Sequence, residues 1–407
     1  MARRVAPVWL MGLTNAVFGM YGGILAISVP QLLSARHVPE STIASMTAVM
    51  MSSGFWAFAL SPVLDVRFSR RWYSAVTATA AASMLVVALL NLKNLVVVEI
   101  FLTAGFLFAN LYQAALGGWL ASITTKQEEN KLSVWVNVAN LGAGGGMALA
   151  TGETVRNLPP LAAALLLGAL LLLPIAVFPW MPAPGPDGRL ARESFLRFFG
   201  EVASLLRRRE VLIAVLLFMA PAATFSLTNF VGGLGADFHA SSHVVGLVGG
   251  TGVLLGGLGG CCIFRLIDRL LPLRFLYLGI GTAGALFTLA LIPLAYTPMT
   301  FGLALIGENV FQALALTAST AIAFETIGRN NPLSATTYCL MVSAFNVPIF
   351  YMLFVDGWGY ARDGVAGCYA ADAGASLVSS LVLGAILLWY RRRQDLKPGF
   401  DRLPATE

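Results

Sequence analysis

Charge is scarce in this chain. Of 407 residues only 11% are Asp, Glu, Lys or Arg, histidine occurs three times and cysteine four times. So little charge excludes a water-soluble domain, which carries about a quarter charged residues. His37, His239 and His243 all fall near expected helix ends. They leave no Ser-His-Asp or Cys-His arrangement, so no enzyme activity is expected. Cys261 and Cys262 are adjacent inside one apolar run and Cys339 lies inside another, which excludes a secreted disulfide framework. Alternation is missing too. Runs such as Leu161 to Pro174 are continuously apolar, which excludes a transmembrane β-barrel. The glycines have no preceding strand and no following Gly-Lys-Ser, which excludes a phosphate loop. No cofactor and no resident metal are expected.

Apolar residues fill that space, at 57% of the chain. A spanning helix needs about 20 of them, because the hydrocarbon core is about 30 Å thick and a helix rises 1.5 Å per residue. Twelve such spans are predicted: 8–33, 43–64, 73–92, 95–121, 132–153 and 159–181, then 211–235, 243–268, 273–294, 298–326, 333–356 and 373–390. The expected class is an all-α polytopic membrane protein. Met1-Ala2-Arg3-Arg4 before an apolar run resembles the start of a signal peptide, but the run to Leu33 is too long for one and is expected to stay as the first helix.

The basic excess of the chain follows its topology. Of 26 Lys and Arg residues, Arg36, Lys93, Arg156 and Arg362 alone fall on one side of the predicted spans. The positive-inside rule then places both termini in the cytoplasm of a bacterial-type inner membrane, and no nucleic-acid partner is expected. A monomer in contact with lipid is expected. The one long connection begins Pro182-Ala183-Pro184-Gly185-Pro186-Asp187-Gly188, which cannot continue a helix. It divides the chain into a six-helix lobe at 1–181, a linker at 182–210, a second six-helix lobe at 211–392 and a tail at 393–407. Within the linker, 190–208 reads as a basic amphipathic helix lying on the inner leaflet, or as an exposed linker with an apolar face.

The two lobes repeat one another. Ser61-Pro62-Val63-Leu64-Asp65, followed by Arg67, Arg70 and Arg71, closes the second span, and Phe264 to Arg269, with Asp268, closes the eighth. Asn130-Lys131-Leu132-Ser133 opens the fifth and Asn331-Pro332-Leu333-Ser334 the eleventh. Both pairs are half a chain apart and run in the same direction, the pattern of parallel repeats in transporters. The two acid-and-arginine loops are candidate inner gates, formed by Asp65, Arg67, Arg70 and Arg71 and by Asp268 and Arg269. An acid at a helix end can accept hydrogen bonds from a neighbouring helix N-terminus. The alternative is charge that only sets topology.

Depth sorts the remaining polar residues, because a polar group in hydrocarbon needs a cavity or a partner. Asp237, Asp356, Asp363 and Asp372 are expected at outer helix ends or in outer loops. Asp237, His239 and His243 have a spacing that could hold a metal ion but are expected to be solvated. Glu308 lies about 15 Å into span ten, near the bilayer midplane. Asn309 and Gln312 accompany it, and spans four, one and seven bring Asn110, Tyr112 and Gln113, Asn15 and Tyr21, and Thr224, Thr228 and Asn229. These are the candidate substrate and coupling residues, with Glu308 as the proton-titratable group or, alternatively, a neutral packing partner. Glycines spaced four apart, Gly142 and Gly146 in span five and Gly252, Gly256 and Gly260 in span eight, are expected to pack the lobes together.

The loop from Asp65 to Arg71 resembles the conserved inner loop of the major facilitator superfamily, with Ser61 where a glycine is usual. Ser61-Pro62-Val63-Leu64-Asp65, Gln113 and Glu128-Glu129 look most like the branch of AmpG-type muropeptide permeases and acetyl-CoA transporters. The resemblance is clearest over 13–150. It implies the major facilitator fold, with spans one, four, seven and ten lining a central cavity, and a secondary transporter for a small or medium organic solute such as a cell-wall fragment or siderophore, coupled to protons. The chain departs from that branch at Ala114, Gly118 and Ile123, where acids are usual, and its Gly144-Gly145-Gly146 lacks the Gly-Pro motif of drug antiporters. The alternatives are a drug or metabolite exporter of the same fold and a non-transporting receptor or scaffold.

Overall fold

The computed structural model describes residues 6–65, 68–183, 200, 204–328 and 331–395. Among these residues every regular element is helical. Runs rich in Leu, Ala and Val satisfy their backbone groups internally, the requirement for crossing a bilayer. The first six helices are α1 (Val8–Ser34), α2, α3 (Arg70–Leu90), α4 (Leu95–Ile123), α5 (Glu129–Asn157) and α6 (Pro160–Trp180). Helix α2 starts as Glu40–Met51 and ends in a short 3₁₀ stretch, Ser61–Asp65. The second six begin with α7, which runs over Arg209–Met219, breaks, and resumes as Leu227–Phe230 and Val231–Ala236. Helix α8 combines Ser242–Leu247, a π-helical turn Val248–Gly252, and Val253–Ile267. Helices α9 (Leu273–Leu291) and α10 (Pro298–Ile327) follow.

The last two spans form one element, Ser334–Asp395, whose backbone leaves helical geometry only at Asp363 and Gly364. We call 334–362 α11 and 365–395 α12. Gly364 has φ of 57°, a left-handed conformation that glycine adopts without penalty, so two residues suffice to reverse the chain. This corrects the sequence expectation of an outer loop between 356 and 373. Asp356 and Asp372 lie about two helical turns inside the hairpin, at 0% and 6% exposure. By length and apolarity alone seven helices qualify as spans, α11 and α12 counting together. The interruptions in α2, α7 and α8 and the more polar sequence of α5 account for the rest.

Close approaches tie the bundle together within each half. A Cβ at Gly23 of α1 would sit 2.1 Å from the Gly144 carbonyl oxygen of α5, and one at Gly260 of α8 would sit 2.3 Å from that of Val310 in α10. The small-residue stripes expected between halves are therefore divided. Gly252, Gly256 and Gly260 seat α10, whereas Gly142 and Gly145 receive Leu258 and Leu254 of α8 across the seam. Most of the predicted amphipathic helix at 190–208 lies outside the described residues.

Candidate functional site

At the cation-rich end, Asp65 fastens one half to the other. Its carboxylate is fully buried and accepts a hydrogen bond from Arg70 Nε at 3.0 Å. It also accepts from the backbone N–H groups of Ala335 and Thr336 at 3.2 and 2.8 Å, and from Thr336 Oγ1 at 2.7 Å. These donors form the first turn of α11, where the helix dipole favours negative charge. Arg70 completes the contact by donating to the Pro332 carbonyl oxygen at 3.0 Å. Nearby, Ser334 Oγ donates to the Gly118 carbonyl oxygen of α4, and a Cβ at Gly118 would sit 2.5 Å from the Ala335 nitrogen. An acid at that position has no room, which explains why this chain carries glycine there.

The second copy of the motif is built differently. Asp268 pairs with Arg265 of its own helix at 3.0 Å, and its Oδ1 has no partner. A cavity of about 530 Å³, lined by Trp9, Glu128, Lys131, Trp135 and Arg265 among others, opens between α8 and the start of α5. Arg71 is half-buried and Arg269 is exposed, and Arg67 lies outside the described residues.

Above the Asp65 contact, the seam between the halves encloses a cavity of about 70 Å³. That is room for about two waters. Its polar lining is Gln113 from α4, Asn137 and Asn140 from α5, Ser319 and Thr320 from α10 and Asn346 from α11. Phe18, Phe218, Tyr338 and Phe345 supply ring surface, and no charged side chain lines it. Asn137 already reaches across, donating from Nδ2 to Thr320 Oγ1 at 3.0 Å. Asn110 and Gln113 line a smaller adjoining pocket with Ser343 and Tyr338.

A separate acidic cluster lies inside the second half. Ser226, at the end of the break in α7, is 2.7 Å from Asp356 Oδ2 of α11 and 3.0 Å from Asp372 Oδ1 of α12. Glu308 of α10 is 1% exposed and shares a hydrogen bond with Thr288 of α9. Glu308 is within electrostatic reach of both aspartates. None of the three acids forms an ion pair among the described residues.

No protein-family model matches the chain, and no curated protein matches it by sequence. Solved structures do match along almost its whole length. The proton:xylose symporter XylE bound to 6-bromo-6-deoxy-D-glucose superposes with a TM-score of 0.67 at 14% identity, covering 93% of this chain and 96% of that one. A bacterial homologue of the iron transporter ferroportin, in its outward-facing state, gives 0.63 at 14% over 95% and 100%. The human organic anion transporter MFSD10 (TETRAN) gives 0.60 at 16% over 94% and 99%. The chain has the major facilitator fold.

Within the major facilitator fold the polar residues picked out by depth do not converge. Tyr112 donates its hydroxyl to the Thr14 carbonyl oxygen at 2.6 Å, Tyr21 to that of Leu102 at 3.4 Å, and Asn15 donates to that of Val136 at 3.3 Å. These three fasten α1 to α4 and α5. Asn309 donates to the Leu305 carbonyl oxygen of its own helix, and Gln312 donates to Thr228 of α7 at 2.8 Å. The side chain of Asn229 lies outside the described residues, as does that of His243. Asp237, placed beside a possible metal site by spacing, accepts a hydrogen bond from Tyr360 at 3.1 Å. Among the described residues no group of three His, Cys, Asp or Glu is arranged to hold a metal ion. Of the predicted set only Gln113 reaches the seam cavity and only Asn110 and Gln113 its annex. Asn137, Asn140 and Asn346 stand on α5 and α11, outside the four spans expected to line the cavity, and Thr320 stands on α10 about three turns away from the depth of Glu308. Asp356 and Asp372 were expected at outer helix ends or in an outer loop, whereas both are buried.

Proposed function

We propose that this multi-pass membrane protein is a secondary active transporter that moves a neutral, hydrogen-bonding organic solute by alternating access, with protons as the coupling ion and Glu308 in the coupling group. One observation carries the solute class: the seam cavity is lined from both halves by amides, hydroxyls and aromatic rings with no charged side chain. Amide and hydroxyl groups satisfy a polyol or nucleoside-like ligand and its ring faces pack on aromatics, whereas a carboxylate would enter without a cation. That favours a neutral solute over a muropeptide, a siderophore or an organic anion. The likeness to a proton:xylose symporter supports the same direction.

The inner gate in this proposal is Asp65 with Arg70, which holds α2 against α11, and the halves correspond to 1–181 and 211–392. The cavity is too small for a solute as it stands, so binding must separate α5 from α10 and replace the Asn137–Thr320 hydrogen bond. The cation distribution supports a gate on the cytoplasmic side of a bacterial-type inner membrane.

Thermal unfolding of the purified protein tests this directly, against a panel of neutral sugars and nucleosides beside cell-wall fragments, siderophores and organic anions. A neutral compound at about 100 times its Kd is expected to stabilise by about 2.7 kcal/mol, and Asn137→Ala and Gln113→Ala are expected to remove the shift. Stabilisation by charged compounds alone would overturn the assignment of solute class. Failure of reconstituted vesicles to accumulate the stabilising compound would favour a receptor that has kept the fold.

A further inference from the structure

Each of the two hydroxyls in the acidic cluster has one hydrogen to give. Ser226 stands within hydrogen-bond distance of Asp356 Oδ2 and Asp372 Oδ1, both acceptors if the acids are ionised. Two bare carboxylates would need two hydrogens from a group that has one, so the second must sit on a carboxyl. Thr288 repeats the count. Its hydroxyl lies 3.0 Å from the Gly284 carbonyl oxygen, which can only accept, and bonds Glu308 Oε1 as well. When the Thr288 hydroxyl donates to Gly284 it can only accept from Glu308, which then carries the proton.

The groups left over point the same way. Glu308 Oε2, Asp356 Oδ1, Thr224 Oγ1 and the Tyr369 hydroxyl are buried without hydrogen-bond partners. An unpartnered oxygen of a neutral carboxyl costs far less in a dry interior than one of a carboxylate. Tyr369 is 1% exposed, and its hydroxyl is one of the unpartnered groups in this part of the second half.

We propose that Glu308, Asp356 and Asp372 form a two-proton binding site, separate from the seam cavity. One proton is shared between the aspartates across Ser226 and the other is held on Glu308. The proposal rests on the assignment of the chain as a proton-coupled carrier and extends it, because it adds a second titrating unit and sets the loaded state at two protons.

The remaining ionisable neighbours are few. Helix α7 brings Asp237 at its outer end. Helix α11 brings Tyr360, one turn beyond Asp356 on the same face, which holds Asp237. Helix α12 brings Cys368 and Tyr369, Tyr296 precedes α10, and α9 brings Thr288, which does not titrate. Arg362 of α11 lies over the Trp358 ring, 5.2 Å from its centroid. The break in α7 lets Ser226 shift without unwinding a continuous helix, the device by which discontinuous helices form ion sites.

The test uses the intact purified protein and the proton itself as probe. Infrared difference spectra recorded across a pH titration are expected to show protonated carboxylic acids at neutral pH whose carbonyl bands exchange slowly in deuterium oxide. Glu308→Gln is expected to remove one component, and Asp356→Asn or Asp372→Asn the other, with the combined variant silent. Ser226→Ala, which keeps all three acids, is expected to shift the aspartate component and leave that of Glu308. Absence of protonated-acid bands in the unaltered protein, or their persistence in the combined variant, would overturn the proposal. So would loss of the bands on adding sodium or calcium ions at neutral pH, which would make the cluster a metal-cation site. These bands are read on resting protein, so they fail or hold independently of whether any solute is carried.

Discussion

The Asp65–Arg70 pair is the residue-scale feature with the largest energetic consequence. Arg156–Glu153 is solvated at both ends and contributes little, whereas Asp65 is fully buried and Arg70 nearly so. Removing one member of a buried, fully hydrogen-bonded pair costs about 3–5 kcal/mol. Asp65→Asn keeps the shape but strips the charge that holds Arg70 and the first turn of α11. Cys339 is a native reporter, buried at 4% in a small cluster with Ala57, Leu64 and Ala335 directly behind this contact. Its maleimide labelling, in a background lacking Cys262, is expected to accelerate more than about tenfold in Asp65→Asn, since every 1.4 kcal/mol is a factor of ten. An unchanged rate would remove Asp65 from the gate. Asp65 was legible in the sequence because its acid-and-arginine spacing is local, but its partners Ala335 and Thr336 were not, because they come from the far half of the chain. Asp356 and Asp372 were hidden for another reason. The polar, glycine-containing stretch around them reads as a loop, yet the chain turns on Asp363 and Gly364 alone.

Among the elements, α7 is the one whose interruption organises its surroundings. Pro221 removes a backbone donor, and the chain stays non-helical to Ser226, with Phe225 at a φ of 50°. The freed carbonyl oxygen of Ala222 accepts from Ser376 and Ser380 of α12 at 2.8 and 3.2 Å. A Cβ at Gly281 of α9 would sit 1.7 Å from that oxygen, so the break is held from two sides. Either serine alone leaves the carbonyl satisfied. Ser376→Ala and Ser380→Ala are therefore expected to be mild singly and to cost about 1–3 kcal/mol together, the price of an unsatisfied buried acceptor. Equilibrium unfolding in mixed micelles measures this, and additivity of the two singles would count against the shared acceptor. The span was legible as apolar sequence over 211–235, but as one uninterrupted run, and the break at Pro221 was not foreseen. What the break serves was not legible, since it depends on serines about 150 residues further on in α12.

At the scale of the whole molecule, the two halves repeat in sequence but are fastened unequally. Asp65 crosses to the other half, whereas among the described residues Asp268 pairs with Arg265 of its own helix, and it is Arg265 that lines a cavity. Asp268→Asn is accordingly expected to cost less than about 1 kcal/mol, because Arg265 is partly exposed and its pair screened. Comparable losses in Asp65→Asn and Asp268→Asn by thermal unfolding would mean that both contacts are closed in solution. The all-α polytopic class followed from hydropathy, a signal averaged over many residues, and the major facilitator fold from the resemblance carried by the Asp65 loop. Side-chain convergence did not, because it depends on rotation about each helix axis. Glu308 shares its depth with the polar residues of α4, yet the α10 face that meets the seam is carried by Leu316, Ser319 and Thr320, about 12 to 18 Å further along the helix.

The two-residue reversal at Asp363 and Gly364 bears also on biogenesis. An acid at the centre of a single inserting helix is penalised by about 2.5–3.5 kcal/mol on translocon scales. With so short a connection neither α11 nor α12 can be handed to the lipid long before the other. They enter as a helical hairpin, in which Asp356 and Asp372 can shield each other before Ser226 and the rest of the bundle close around them. Lengthening that turn is expected to expose each acid in turn to the bilayer during synthesis.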